Sequence, residues 1–198
     1  MDAVFYAAIA GFGGASYAVG LAAIIRGAYR PQVFSRIVWL LLAAISFAGV
    51  VAGASAAPTV LLSGIFLAGN AAICVAAFWR GSSGVGALEY VCLAILALSA
   101  AAWAVFDSPV LSVAISLLAH AVGGAPTYRA VWRDPRSESA GFWSLFLAAS
   151  AASLAADAGQ PLRLVIFPLY FVLFDGGMTL LSLRGRHRAP ATRTSGQG

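Results

Sequence analysis

Three polar side chains that are able to bind a solute lie near the middle of long apolar segments. Asn70 lies in the third such segment, His120 in the fifth and Asp175 in the seventh. A polar group at the centre of a bilayer is costly, so its presence favours a functional role. An amide, an imidazole and a carboxylate near one depth predict a substrate site. The carboxylate suits a cationic or proton-coupled solute as readily as a sugar.

Each of the three residues also has a purely structural interpretation, which stays open at this point. Asn70 could bridge two helices through its amide. His120 could be a neutral histidine bonded to a backbone carbonyl, and Asp175 a protonated carboxyl bonded to a neighbour. The sequence has no nucleophile placed with them, no paired carboxylates, no glycine-rich phosphate loop and no metal-ligand cluster. We therefore expect no enzyme activity, no cofactor and no metal site.

The composition is that of a protein that lies in a membrane. Of the 198 residues, 61% are hydrophobic and only 10% are charged, and the mean hydropathy is +0.89. Soluble domains carry about 25% charged residues. Apolar runs of about 20 residues are what a helix needs to cross a ~30 Å hydrocarbon layer. The predicted partners are the lipid bilayer and a small polar solute, and no nucleic acid.

All twelve basic residues are arginine. Without lysine there is no Schiff base to retinal or to pyridoxal phosphate, which excludes a rhodopsin-like function. The bias toward alanine, glycine and arginine favours a bacterial source.

The sequence predicts an all-α membrane protein with seven transmembrane helices. Prolines and glycines separate the apolar runs, which is typical of helix ends. The predicted spans are 3–25, 37–55, 58–79, 85–106, 109–130, 141–156 and 161–183.

The arginines predict the orientation of these spans. Eleven of the twelve follow odd-numbered spans, and only Arg163 follows an even-numbered one. By the positive-inside rule, the N-terminus lies outside and the C-terminus lies in the cytoplasm. The expected location is the plasma or inner membrane, with multiple passes.

The chain contains an internal repeat. The pattern Pro-x3-Ser-x3-Trp occurs twice, 104 residues apart, at Pro31, Ser35 and Trp39 and at Pro135, Ser139 and Trp143. We expect the serines to cap the second and sixth helices. The tryptophans suit either an anchor at the membrane interface or an inner gate.

The repeat predicts two parallel three-helix bundles joined by an inversion linker helix, a 3+1+3 arrangement. The first bundle covers 1–79, the linker with the fourth helix 80–107 and the second bundle 108–184. The polar segment 185–198 is expected to be a disordered cytoplasmic tail. Two bundles in one chain would make a complete pore.

The segment from Gly124 to Trp143 carries a resemblance to a known family. It contains Pro126-Thr127-x-Arg129, followed by Pro135-x-Ser-Glu138. It resembles the Pro-Gln-loop superfamily, which includes the SWEET and semiSWEET sugar transporters. It is also similar to uncharacterised bacterial membrane proteins with a Pro-Thr-x-Arg or Pro-Thr-x-Lys pattern.

The chain departs from the family pattern at both repeats. Thr127 stands where the family has glutamine after Pro126, and the first repeat has Ala22 at the position of that proline. Only the second bundle therefore has a proline that frees a carbonyl and bends the helix.

The resemblance implies a small-solute transporter that works by alternating access. It implies that Asn70 contacts solute from the third helix, and that Asp175 does so from the seventh in place of an asparagine. The expected gating residues are Pro126, Tyr128, Trp39 and Trp143. The alternative is a receptor, scaffold or assembly protein of the same fold that does not transport.

Overall fold

The chain is all-helical in its computed structural model, which describes residues 2–83, 85–135 and 137–184. The predicted tail 185–198 lies outside these residues. Within them there are seven helices: α1 (Asp2–Ile25), α2 (Val33–Ala52), α3 (Ala57–Arg80), α4 (Ala87–Phe106), α5 (Pro109–Arg133), α6 (Ala140–Ala156) and α7 (Leu162–Leu183).

Six of the helices are long and apolar enough to cross a membrane, so the chain fits a polytopic membrane protein in contact with the lipid bilayer. The exception is α6, with 17 apolar residues. At 1.5 Å per residue it is about 26 Å long, slightly shorter than the ~30 Å hydrocarbon layer.

Proline and serine set several helix ends, as expected. Pro109 is the first residue of α5, and the Ser108 hydroxyl caps that helix by accepting from the Leu111 amide at 3.3 Å. Ser139 caps α6 by accepting from the Phe142 amide at 3.3 Å. The predicted cap at Ser139 is therefore confirmed.

The predicted cap at Ser35 is wrong. Helix α2 begins four residues before the predicted span, with Gln32 as its N-cap, so Ser35 lies in the first turn. Its hydroxyl lies 3.0 Å from the Gln32 side-chain oxygen and 2.6 Å from Oε1 of Glu89 in α4. The early start is fixed by long-range bonds, because the backbone beside Gln32 pairs with Ser82 in the loop after α3.

Six helices pack as a closed ring in the order α1, α3, α2, α5, α7 and α6, and α4 lies outside the ring. Helix α1 packs on α3 and α6, α2 on α3 and α5, and α7 on α5 and α6, while α4 lies against α5 and α2. Hydrogen bonds join helices in the interior: the hydroxyls of Ser46 and Ser116 are 2.8 Å apart between α2 and α5, and Ser16 of α1 donates to the Phe142 carbonyl of α6 at 2.9 Å. Such bonds hold helices together where lipid provides no hydrophobic driving force.

The molecule has two distinct ends. At one, the loops 26–32 and 81–86 pair through their backbones, and Arg184 after α7 donates to the Trp132 carbonyl near the end of α5. We call this the arginine-rich end. The loops 53–56 and 157–161 lie at the opposite end, where the hydroxyl of Thr59 bonds to Asp157.

Candidate functional site

A cavity of about 340 Å³ lies between the helices and contains the three predicted substrate residues. It is bordered by α1, α2, α3, α5, α6 and α7. It also reaches Ala28, Ser137 and Ser139, which are exposed at the arginine-rich end. The cavity therefore opens at that end and extends inward to the middle of the helices.

Asn70 lies in the cavity wall, 3% exposed, with its amide orientation fixed. Its Nδ2 donates to the Phe66 carbonyl at 2.8 Å and to the Tyr17 hydroxyl at 3.0 Å. A backbone carbonyl only accepts, so the amide nitrogen must face it. The bond to Tyr17 joins α3 to α1. Asn70 thus bridges two helices and lines the cavity at once.

His120 is buried in α5 among aromatic rings. Its Nδ1 lies 2.8 Å from the hydroxyl of Tyr170. Its ring centroid lies 4.4 Å from that of Trp39 and 4.7 Å from that of Phe174. The Nδ1 partner is a tyrosine hydroxyl from α7, where the structural interpretation expected a backbone carbonyl.

Asp175 is a buried polar residue of the cavity lining with an unsatisfied oxygen. It is 1% exposed, and its Oδ2 has no hydrogen-bond partner in the part of the chain that the structure describes. An unpaired buried polar group is costly, which makes an exception of this kind informative.

Two of the four predicted gating residues lie at the cavity. Trp39 and Trp143 both line it. The indole nitrogen of Trp143 donates to Oε2 of Glu138 at 3.3 Å, and the guanidinium of Arg36 lies 5.7 Å from the Trp39 ring centre. Burial raises the pKa of the Glu138 carboxyl, and this effect is larger than the lowering caused by the hydrogen bond from the Trp143 indole.

The other two predicted gating residues lie outside the cavity lining. Helix α5 continues through Pro126 as far as Arg133, and the proline is exposed. The Tyr128 hydroxyl donates to the Phe174 carbonyl of α7, and the adjacent Thr127 lines the cavity instead. Tyr128 therefore connects α5 to α7 through this hydrogen bond.

Sequence reasoning missed several residues of the site. Tyr17 was left out, although a hydroxyl in the middle of the first span was a usable signal. From the sequence, Arg36 bears only on the orientation of the spans, and Glu138 only on the Pro135-x-Ser-Glu138 motif. Their place in the cavity depends on which helices are neighbours, which the local sequence does not reveal.

A buried hydrogen bond lies at the end of the molecule away from the cavity opening. Thr59, near the start of α3, donates from its hydroxyl to Oδ2 of Asp157, just after α6, at 2.6 Å. Both residues are buried. Burial raises the pKa of the Asp157 carboxyl, and the bonds from Thr59 act in the opposite direction.

The described residues contain no cluster of three or more histidine, cysteine, aspartate or glutamate side chains that could hold a metal ion. Cys74 and Cys92 are buried free thiols. No protein-family model, no curated protein and no solved structure matches this chain.

Proposed function

We propose that this chain is a SWEET-like transporter of a small polar solute, which binds among Asn70, His120 and Asp175 and crosses the membrane by alternating access. The observation that carries the proposal is the cavity itself. It is open at one end, reaches polar residues at mid-helix and stops short of the buried Thr59–Asp157 bond at the other end. A cavity that opens to one side and has polar groups at mid-helix is what a carrier needs.

The size of the cavity supports a small solute. Ligand pockets typically measure about 300–1,000 Å³, and this cavity, at about 340 Å³, is near the lower limit. Most of its wall is apolar, with a few polar groups that would orient a solute.

The packing of the helices supports a 3+1+3 plan with two related bundles. In the first set α3 packs on both α1 and α2, and in the second α7 packs on both α5 and α6. In the repeat, α1 corresponds to α5 and α2 corresponds to α6. The contact of α1 with α6 therefore corresponds to the contact of α5 with α2, and the structure contains both. A shift of 104 residues also moves α3 onto 161–184, close to the position of α7.

Alternating access assigns a role to each end. The Thr59–Asp157 bond joins α3 to α6, and so holds the two bundles together where the site is closed. The open end is surrounded by two tryptophans and two charged residues: Trp39, Trp143, Arg36 and Glu138. To release solute on the other side, the Thr59–Asp157 bond breaks and the groups at the open end come together.

The orientation follows from the arginines. With the N-terminus outside, the cavity opens toward the cytoplasm and Thr59–Asp157 lies on the external side. The form described here is then the inward-open state of the carrier.

Ligand-dependent thermal stability of the purified full chain tests this function. A compound that binds the folded protein raises its melting temperature. In a panel of sugars, amino acids and amines, we expect stabilisation by at least one class, lost in Asn70→Leu and in Asp175→Leu. Uptake of that compound into proteoliposomes then distinguishes a transporter from a receptor.

The matched control is Ser99→Ala. Ser99 is buried in α4 and bonds to Ser112 of α5, outside the cavity lining. This variant should lose some stability but keep the ligand response. Loss of stability without any ligand response in the whole set would favour the scaffold alternative.

A further inference from the structure

The deep part of the cavity holds an acidic side chain, that of Asp175. Asp175 lines the cavity, and its Oδ2 has no hydrogen-bond partner within the described ranges. A buried carboxyl oxygen without a hydrogen-bond partner is unfavourable. A bound solute that carries a positive group would remove that cost.

Arg36 also lines the cavity, and its guanidinium is bonded in part, since its Nε has no hydrogen-bond partner among the described residues. It stands in the first turns of α2 near the opening, donates to the Tyr29 hydroxyl and lies 5.6 Å from the Tyr29 ring centre. Glu138 lies at the same end and offsets its charge. His120 is bonded to the Tyr170 hydroxyl and lies among aromatic rings. None of these groups is a hydrogen-bond partner of Oδ2 of Asp175, which has none among the described residues.

The wall near this carboxylate is aromatic. Phe171 precedes Asp175 by one helical turn, and its ring centre lies 4.8 Å from that of Phe66 and 5.4 Å from that of Phe146. The Tyr17 ring lies 5.6 Å from Phe146. All four residues line the cavity. The faces of aromatic rings attract cations, most strongly where water is excluded.

Asn70 adds an acceptor to the same wall. Both hydrogens of its amide nitrogen are directed to the Phe66 carbonyl and the Tyr17 hydroxyl. Its carbonyl oxygen is what remains for a ligand, and this oxygen only accepts. A solute for this site must therefore donate hydrogen bonds or carry positive charge.

From this combination we propose that the solute is a small organic ammonium ion, with its positive group against Asp175 and its alkyl groups against the aromatic wall. The inference rests on the proposed function, namely that the cavity holds a solute, and it adds the chemical class. The cavity lining near the opening includes one charged residue of each sign, Arg36 and Glu138, so selection takes place at the deep Asp175.

A pair of probes with nearly the same shape tests the proposal. Choline carries a quaternary nitrogen, and 3,3-dimethyl-1-butanol has a carbon in its place. With the full chain in an uncharged detergent, we expect choline to raise the melting temperature and the neutral alcohol to leave it unchanged. Equal stabilisation by the two probes would overturn the proposal.

Direct binding of radiolabelled choline to wild type and to variants tests whether Asp175 is the residue that binds the ammonium group. Loss of a buried charged partner weakens binding by about 30-fold or more, so Asp175→Asn should lose most of its choline affinity. Asp107→Asn is the matched control, because Asp107 lies in the loop between α4 and α5 outside the cavity. Unchanged affinity in Asp175→Asn would overturn the proposal. The two probes on the unmodified protein decide the question even where Asp175→Asn fails to fold.

Glucose in the same assays separates this inference from the proposed function. Stabilisation by glucose that is lost in Asn70→Leu, with no response to choline, overturns the ammonium class and leaves the solute cavity standing. A further test places a cysteine at Ala23 in the cavity wall and measures its access to a thiol reagent. If the reagent does not reach this cysteine and no probe gives a response, the ammonium class and the proposed transport function are both overturned.

Discussion

The Thr59 hydroxyl donates a 2.6 Å hydrogen bond to Oδ2 of Asp157, and this bond connects α3 to α6 at the end of the molecule away from the cavity opening. Both side chains are buried, so water does not compete for the bond. In the proposed transport cycle it must break each time the site opens to the external side. In that cycle, a stronger bond would keep the protein longer in the state described by the structure.

Thr59→Val removes the donor and keeps the shape of the side chain. The buried Asp157 carboxyl then loses its partner, and we expect the free energy of unfolding to fall by about 1.5–3 kcal/mol. The measurement is denaturation of the purified chain in detergent.

Ser153→Ala is the control for this variant. Ser153 lies one turn before Asp157, and its buried hydroxyl has no hydrogen-bond partner among the described residues. Its removal should leave the free energy of unfolding unchanged or slightly higher. Equal losses in the two variants would contradict a specific role for the Thr59–Asp157 bond.

The stability of the protein should depend on pH through Asp157. Burial raises the pKa of this carboxyl above its ordinary value of 3.8 in the folded state. The folded state then binds more protons than the unfolded state, so the free energy of unfolding decreases as pH rises from 3.8 through the raised pKa. Denaturation curves at several pH values measure this decrease.

Asp157→Asn isolates that contribution. Burial also raises the pKa of Glu138, so this residue adds a pH dependence of stability with the same sign in wild type and in the variant. The difference between wild type and Asp157→Asn should therefore shrink toward acid pH and grow as pH rises through the raised pKa. A difference that does not vary with pH would show that Asp157 does not titrate differently on folding.

Gly69→Ala should damage the candidate site without changing a polar group. A methyl group at Gly69 would collide with the ring of Tyr17. The ring would have to move and break its bond to Asn70, so we expect a loss of about 1–3 kcal/mol in stability and a loss of ligand response.

Gly64→Ala, in the same helix, is the comparison for Gly69→Ala. Its added methyl group would lie 3.5 Å from the Phe47 ring, an ordinary contact. Alanine favours a helix by up to about 1 kcal/mol over glycine, so this variant should be as stable as wild type or more stable. If both alanine variants bind ligand normally, the position of Tyr17 is not important for the site.

The sequence predicted the helices well because their signals are local. Long apolar runs, Pro109 at the start of α5 and Ser139 before α6 determine helix ends without reference to distant residues. The start of α2 was predicted four residues late, because the pairing of Gln32 with Ser82 joins segments that are far apart in the sequence.

The site was predictable only in part, for the same reason. Asn70, His120 and Asp175 were found because polar residues at the middle of apolar helices are rare. Arg36 and Glu138 lie near helix ends, where charged residues are common, and only the packing of α2 on α3 and of α6 on α1 and α3 brings them to one cavity. Tyr128 was expected at a gate and is bonded to α7 instead.

Access to the cavity from each side of the membrane tests the transporter proposal most directly. In a chain without Cys74 and Cys92, Ala23→Cys places one thiol in the cavity wall. Membrane-impermeant reagents then report its exposure in right-side-out and inverted vesicles. We predict fast modification from the arginine-rich end and slow modification from the opposite end, with Thr59→Val raising the slow rate and lowering the fast one. Modification from one end only, at a rate that Thr59→Val does not change, would contradict alternating access.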